Sequence, residues 1–191
     1  MKLNIFGSTG VIGKKTLGII DNNFPKISVN LLCCNSNINL LTKQIIKYQP
    51  KYVFINDKDK YLKLKKNINP KITILDKKDL FNYLYTSKSE FTILAISGYR
   101  SLYYLDSIVK NTNNLGIVNK EAIVSAGHIF QKNNYFKKTN IFPIDSEHFS
   151  IFDYLRKTNT HQSINKIILT ASGGPFYKKK YKDLNKVTFS E

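Results

Sequence analysis

Short apolar runs alternate along this chain with longer stretches in which apolar residues recur at helical spacing. Residues 3–6 read as a buried strand, and residues 12–21 as a helix with Ile12, Leu17, Ile19 and Ile20 on its apolar side. The alternation then repeats. Residues 29–33, 52–55, 72–75, 91–95, 115–118 and 141–143 have the composition of buried strands. Between them, residues 40–48, 57–66, 78–85, 101–110 and 121–132 carry helical patterns. A further helix over 149–157 and a strand over 166–170 follow. Such regular succession predicts an α/β fold, a doubly wound parallel sheet covered on both faces. Ligands of such sheets bind beyond the carboxyl ends of the strands, so the connections that leave each strand are where chemistry is expected. No apolar run reaches the ~18 residues of a membrane span, so no membrane partner is expected.

The first connection is the most specific. "NIFGSTGVIGKKTLGII", residues 4–20, reads as a strand, a turn with glycines at 7, 10 and 13, and a helix. In a dinucleotide-binding turn the first glycine permits the tight bend, the second lets the backbone approach a pyrophosphate, and the third lets the helix pack on the sheet. The helix N-terminus then offers free amides, here those of Gly10, Val11 and Ile12, to the phosphates. The second strand ends in "CCNSNIN". This turn has no Asp or Glu to hold a ribose diol, which disfavours NAD, and no Arg or Lys for a 2′-phosphate.

Charge changes the picture less than its size implies. The net charge is +17, from 30 Lys and Arg against 13 Asp and Glu. Arg100 and Arg156 are the only arginines, and the lysines are spread along the chain. Lys, Asn, Ile and Tyr share AT-rich codons, and arginine, the preferred reader of phosphates and bases, is nearly absent. A solvated lysine surface accounts for the excess, and no nucleic-acid partner is expected. The field still favours a small phosphorylated ligand. The first residues enter a strand directly, with no targeting segment expected. Cys33 and Cys34 read as reduced, buried thiols, consistent with a cytoplasmic setting in a bacterium of AT-rich genome.

Three later blocks also carry chemistry. In "PIDSEHF", residues 143–149, Asp145 and Glu147 stand two apart in a chain poor in acids. On an extended segment such a pair projects to one side. It is either a solvated turn or a pair of hard oxygen ligands for a divalent cation. His148 is a base, a ligand or a structural group at the start of the next helix. In "VNKEAIVSAG", residues 118–127, Asn119 ends a strand where contact with a nicotinamide half is expected, and Glu121 suits the first turn of a helix. In "LTASGGPF", residues 169–176, Ser172 precedes two glycines whose amides form an anion-binding nest or a plain turn.

Together with "GSTGVIG" at 7–13, these three blocks resemble the 1-deoxy-D-xylulose 5-phosphate reductoisomerases of the non-mevalonate route to isoprenoids. The blocks occur in that family's order and the resemblance runs from Lys2 to the last residue. It implies a Rossmann-like NADPH domain over residues 1–143 and the start of an α+β catalytic domain over 144–191. The implied reaction rearranges 1-deoxy-D-xylulose 5-phosphate and reduces the product with NADPH to 2-C-methyl-D-erythritol 4-phosphate. The resemblance makes Asp145 and Glu147 ligands of Mg²⁺ or Mn²⁺. It places Lys120, Ser146 and Ser172 on the substrate, and Thr9, Gly10, Val11, Ile12, Asn37, Asn119 and Glu121 on the cofactor. It implies a homodimer for the full-length protein.

Family members continue past the point matching Glu191, with a substrate-binding histidine, a lid, a third metal-binding glutamate and a helical domain. The 191 residues are therefore expected to be inactive alone. A non-catalytic NADP(H)-binding remnant or regulatory module is the other reading. The chain also departs from the family pattern. Val11 replaces a serine, Ser36 a lysine in the second turn, Ala171 a glycine, and Phe149 a small or polar residue.

Overall fold

The computed structural model describes residues 1–66, 68–158, 164–168, 173–174 and 176–188. The chain divides into two compact units, Met1–Phe149 and Ser150–Glu191.

The strands of the first unit are β1 (Lys2–Phe6), β2 (Ser28–Cys34), β3 (Tyr52–Ile55), β4 (Thr73–Leu75), β5 (Ser89–Leu94), β6 (Thr112–Ile117) and β7 (Asn140–Pro143). They form one parallel sheet in the order β4-β3-β2-β1-β5-β6-β7. The helices between them are α1 (Val11–Asn23), α2 (Ile38–Tyr48), α3 (Lys58–Lys66), α4 (Lys77–Thr86), α5 (Leu102–Asn111) and α6 (Lys120–Lys132). The expected doubly wound α/β sheet is what forms. One short helix, α7 (Tyr135–Lys138), lies where no separate element is expected from the sequence.

The core has two parts, as a sheet covered on both faces requires. Leu3 and Ile5 of β1 pack with Leu17 and Ile20 of α1, Leu41 and Ile45 of α2 and Leu64 of α3. Phe6, with Leu31 and Cys33 of β2, packs with residues of α4, α5 and α6, among them Leu84, Ile108 and Phe130. Alternate positions of one strand thus serve opposite faces, which is why the central strands read as continuous apolar runs.

Asn4, fully buried in β1, is the exception. Asn30 Nδ2 donates to Asn4 Oδ1 at 3.0 Å and to Tyr83 Oη at 2.7 Å, so the buried polar atoms satisfy one another.

The last helix, α8 (Ser146–Thr158), starts in the first unit and continues into the second. In the second unit Lys157 pairs with Asp153 at 2.7 Å, and a 3-10 helix spans Tyr181–Lys186. The strand expected over 166–170 is not present in its described part. Residues 164–168 have no regular structure, and 169–170 lie outside the described residues. An apolar run becomes a strand only when a neighbour takes its backbone hydrogen bonds, and the described part of this run shows no ladder partner.

Candidate functional site

Strand order reverses at β1, which lies between β2 and β5. There a cavity of about 560 Å³ opens over the strand ends. That is within the ~300–1,000 Å³ of small-ligand sites. Gly7, Thr9 and Gly10 line it from the glycine turn, and Cys33, Cys34 and Asn35 from the end of β2. Phe54 of β3 and Asn56 just after it line it too, with Ala95, Ile96, Ser97 and Arg100 after β5.

The turn is held too tightly for other residues. Gly7 has φ +86°, and a Cβ there would lie 2.4 Å from Ala95 O. Gly10 is the N-cap of α1 and adds no side-chain cap, which leaves the helix end open. One expectation is corrected here. The Gly10 amide is not free, because it donates to Gly7 O at 3.0 Å and closes the turn. Among the described residues the Val11 and Ile12 amides have no acceptor, as first-turn amides of an uncapped helix must. Two donors at a positive helix end, beside a cavity of this size, fit a pyrophosphate.

Asn37 is exposed and caps α2, its Oδ1 accepting from Leu40 N at 3.1 Å. Asn35 Oδ1 instead accepts from Asn56 Nδ2 at 3.0 Å across the β2 and β3 ends. Both cysteines are free and buried. Burial pushes the Cys34 thiol up to about 11 and raises Cys33 also, so neither offers a thiolate at neutral pH.

A second group of residues sits at the other side of the sheet. Parallel pairing sets Ile117 of β6 beside Pro143 of β7, and Ile144 N donates to Ile117 O at 2.8 Å. The residues that follow each strand, 118–121 and 144–148, therefore emerge side by side. Lys120 Nζ lies 3.4 Å from Glu147 Oε1. Ser146 Oγ donates to Glu147 Oε2 at 2.6 Å.

The extended geometry expected for Asp145–Glu147 is not what forms. Helix α8 begins at Ser146, and Asp145 Oδ1 accepts the His148 amide at 2.9 Å as an N-cap does. The same oxygen is 2.7 Å from His148 Nδ1. Asp145 is thus at the cap and Glu147 in the first turn. Among the described residues no group of three or more His, Cys, Asp or Glu is placed to hold a metal ion. The two carboxylates are hard oxygen donors, the kind that Mg²⁺ and Mn²⁺ take.

Of the remaining residues singled out in the sequence, Thr9 and Gly10 line the cavity, whereas Val11, Ile12, Asn119, Lys120 and Glu121 do not. Asn119 is buried and caps α6, Oδ1 accepting from Ala122 N at 2.8 Å. Its Nδ2 holds the β5–α5 connection, 2.8 Å from Ile96 O and 2.7 Å from Gly98 O. Glu121 is exposed in the first turn of α6. Ser172 lies outside the described residues. Arg100 and Asn56 line the cavity without having been singled out as site residues. Their signal is position alone, just after β5 and β3.

Glu147 carries a testable electrostatic signature. The Ser146 hydroxyl, its own backbone amide and the Lys120 ammonium hold its carboxyl down at about 2, against an ordinary 4.5. A depressed carboxyl contributes stability in full above its unfolded value and loses it as pH falls through the folded one. The window here runs from about 4.5 down to about 2. In metal-free buffer, a ¹³C-detected NMR titration is expected to place Glu147 well below the ordinary 4.5, and Ser146→Ala to move it upward. A Glu147 titration that ignores Ser146→Ala would contradict this geometry.

The 1-deoxy-D-xylulose 5-phosphate reductoisomerase family model matches residues 3–127, and the model of that enzyme's C-terminal domain matches residues 141–191. The chain belongs to this reductoisomerase family. A reductoisomerase of Wigglesworthia glossinidia brevipalpis is 40% identical over 98% of the chain, and one of Caldanaerobacter subterraneus is 36% identical over all of it. The chain covers 51% and 50% of these relatives, so it spans about half their length. Among solved structures, the Zymomonas mobilis reductoisomerase in complex with NADPH superposes with a TM-score of 0.78 at 28% identity, covering 98% of this chain and 50% of that one. A DOX-P reductoisomerase in complex with NADPH, fosmidomycin and magnesium gives 0.78 at 27% identity, covering 98% and 49%. The family read from the four sequence blocks is the family found.

Proposed function

We propose that the chain forms the NADPH-binding domain and the opening of the catalytic domain of an enzyme that converts 1-deoxy-D-xylulose 5-phosphate to 2-C-methyl-D-erythritol 4-phosphate. The observation that carries this is one sheet with an open glycine-turn cavity at its centre and Lys120 set beside Ser146–Glu147 at adjacent strand ends. In this reading the Val11 and Ile12 amides, with Thr9 and Gly10, hold the pyrophosphate, and Asn37 lies at the adenosine end. Asn119 and Glu121 serve the nicotinamide side, Asn119 through the connection it holds. Asp145 and Glu147 contribute to a Mg²⁺ or Mn²⁺ site, and the cation would stabilise charge on adjacent substrate oxygens. Ser146 and Ser172 bind substrate, and Lys120 offers a cation near developing negative charge. Working in the cytoplasm as a homodimer belongs to the same proposal.

A second reading, an NADP(H)-binding module without catalysis, draws on the engagement of these groups with one another. Asp145 is occupied as a cap, and Glu147 by Ser146 and Lys120. Two measurements on the 191-residue chain separate the outcomes. Titration with NADPH, followed by nicotinamide fluorescence, is expected to show saturable binding. Turnover with 1-deoxy-D-xylulose 5-phosphate, NADPH and Mn²⁺ is expected to be absent, because the residues present supply two carboxylates and half the length of the relatives. Absence of NADPH binding would overturn both readings. Robust turnover would overturn the second, and with it the expectation that these residues are insufficient alone.

A further inference from the structure

Among the described residues lining the glycine-turn cavity, Arg100 is the one charged side chain. It also lines an adjoining depression with Asn56, Lys77, Tyr99 and Tyr103. Asn56 follows β3 and Lys77 opens the helix after β4. Arg100 therefore faces the β2–β3–β4 half of the sheet, the half over which a doubly wound fold lays the adenosine of a dinucleotide. The guanidinium is exposed, and among the described residues it has no hydrogen bond or ion pair.

The backbone that carries it is fixed. Gly98 has φ +67°, Asn119 Nδ2 donates to Gly98 O at 2.7 Å, and Ser101 Oγ donates to the same oxygen at 3.0 Å. By contrast, the turn after β2, where such folds usually read the ribose, has no charge. It carries Asn35, Ser36 and Asn37, and Asn37 is spent as a cap. The first acid beyond β3, Asp57, is engaged by the Lys60 amide at 3.1 Å and by Lys60 Nζ at 3.7 Å.

We propose that Arg100 selects a 2′-phosphorylated dinucleotide, holding the 2′-phosphate from the β5–α5 connection in place of a cation in the β2 turn. The inference rests on the cofactor reading above. A guanidinium presents a planar fork of donors that matches a phosphate, and a free one loses no internal partner on binding. The asparagines around it supply neutral donors and acceptors, and Lys77, the other cation of the adjoining depression, sits over the Tyr103 ring at 4.6 Å, so the discrimination between phosphate and hydroxyl is assigned to Arg100.

The test is calorimetric titration of the full chain and of Arg100→Met and Arg100→Lys with NADPH, NADH and 2′,5′-ADP. Arg100→Met is expected to weaken NADPH and 2′,5′-ADP about tenfold to a hundredfold and to leave NADH unchanged. Arg100→Lys should retain part of the preference. If NADPH and NADH weaken equally, or if NADPH binding ignores the substitution, the proposal fails while the cofactor reading stands. If the unsubstituted chain binds neither dinucleotide, both fail together. Coincident unfolding curves for the exposed-site variants would show that a loss of affinity is local.

Discussion

Gly13→Ala is expected to destabilise the first unit by about 2–3 kcal/mol, while Gly18→Ala in the same helix stabilises it by about 0.5–1 kcal/mol. Both positions lie in α1, and an alanine gains the same helix propensity at each. Their surroundings decide the sign. A Cβ on Gly13 would lie 2.3 Å from Gly7 O and 2.6 Å from Ser8 Cα, both backbone atoms of the turn. Backbone cannot swing aside as a side-chain end can, so the helix and turn would have to separate. A Cβ on Gly18 meets nothing within 4 Å. Separation at Gly13 would also shift the Val11 and Ile12 amides, so NADPH affinity should fall in Gly13→Ala and hold in Gly18→Ala. Urea unfolding followed by circular dichroism, with NADPH titration of each variant, provides the check. Equal stability of the two variants would mean that the close packing of α1 on the turn is not what the third glycine serves.

The same comparison shows what the sequence could reveal. Gly7, Gly10 and Gly13 were legible because the turn needs glycine for local reasons: a positive φ, a helix end without a side chain, and a backbone contact six residues away. The central strands were legible because both faces of the sheet are covered, which makes most of their positions apolar. The region after β7 is a helix start and not the extended pair that its spacing predicts. Asp145 and Glu147 suit an extended pair by spacing alone, but an acid followed by another in a first turn is also the mark of a helix start. Pairing of β7 with β6 ends at Pro143, which frees the next residues to turn into α8 with Asp145 as cap. Arg100 gives no site signal in the sequence, because its place depends on strand order. Only when β5 sits beside β1 does the connection after β5 face the glycine turn. Periodicity says nothing about which strands are neighbours.

Asn119 links the two ends of the site, and its substitutions should separate two roles. Its Oδ1 caps α6 through Ala122 N, while its Nδ2 reaches Ile96 O, Gly98 O and Ser101 Oγ at 2.8, 2.7 and 2.9 Å. Asn119→Ala removes both functions. Loss of a cap costs ~1 kcal/mol, and leaving buried acceptors without their donor ~1–3 more, for a total of about 3 kcal/mol. Asn119→Asp keeps an acceptor for the cap but turns a carboxylate oxygen toward two carbonyls. Its cost should match or exceed that of alanine, since the buried charge would face two carbonyl oxygens with the Ser101 hydroxyl as the one donor beside it, and that hydroxyl would have to leave Gly98 O to reach it. Were the cap alone important, aspartate would be close to neutral, because it is as good a cap as asparagine. The order of the urea midpoints therefore identifies which half of the amide matters. NADPH affinity adds a second readout. Both variants release the connection that presents Arg100, so both should weaken NADPH more than NADH, in the same direction as Arg100→Met. An aspartate variant with native stability and native NADPH preference would show that the Nδ2 bonds neither hold the connection nor orient Arg100.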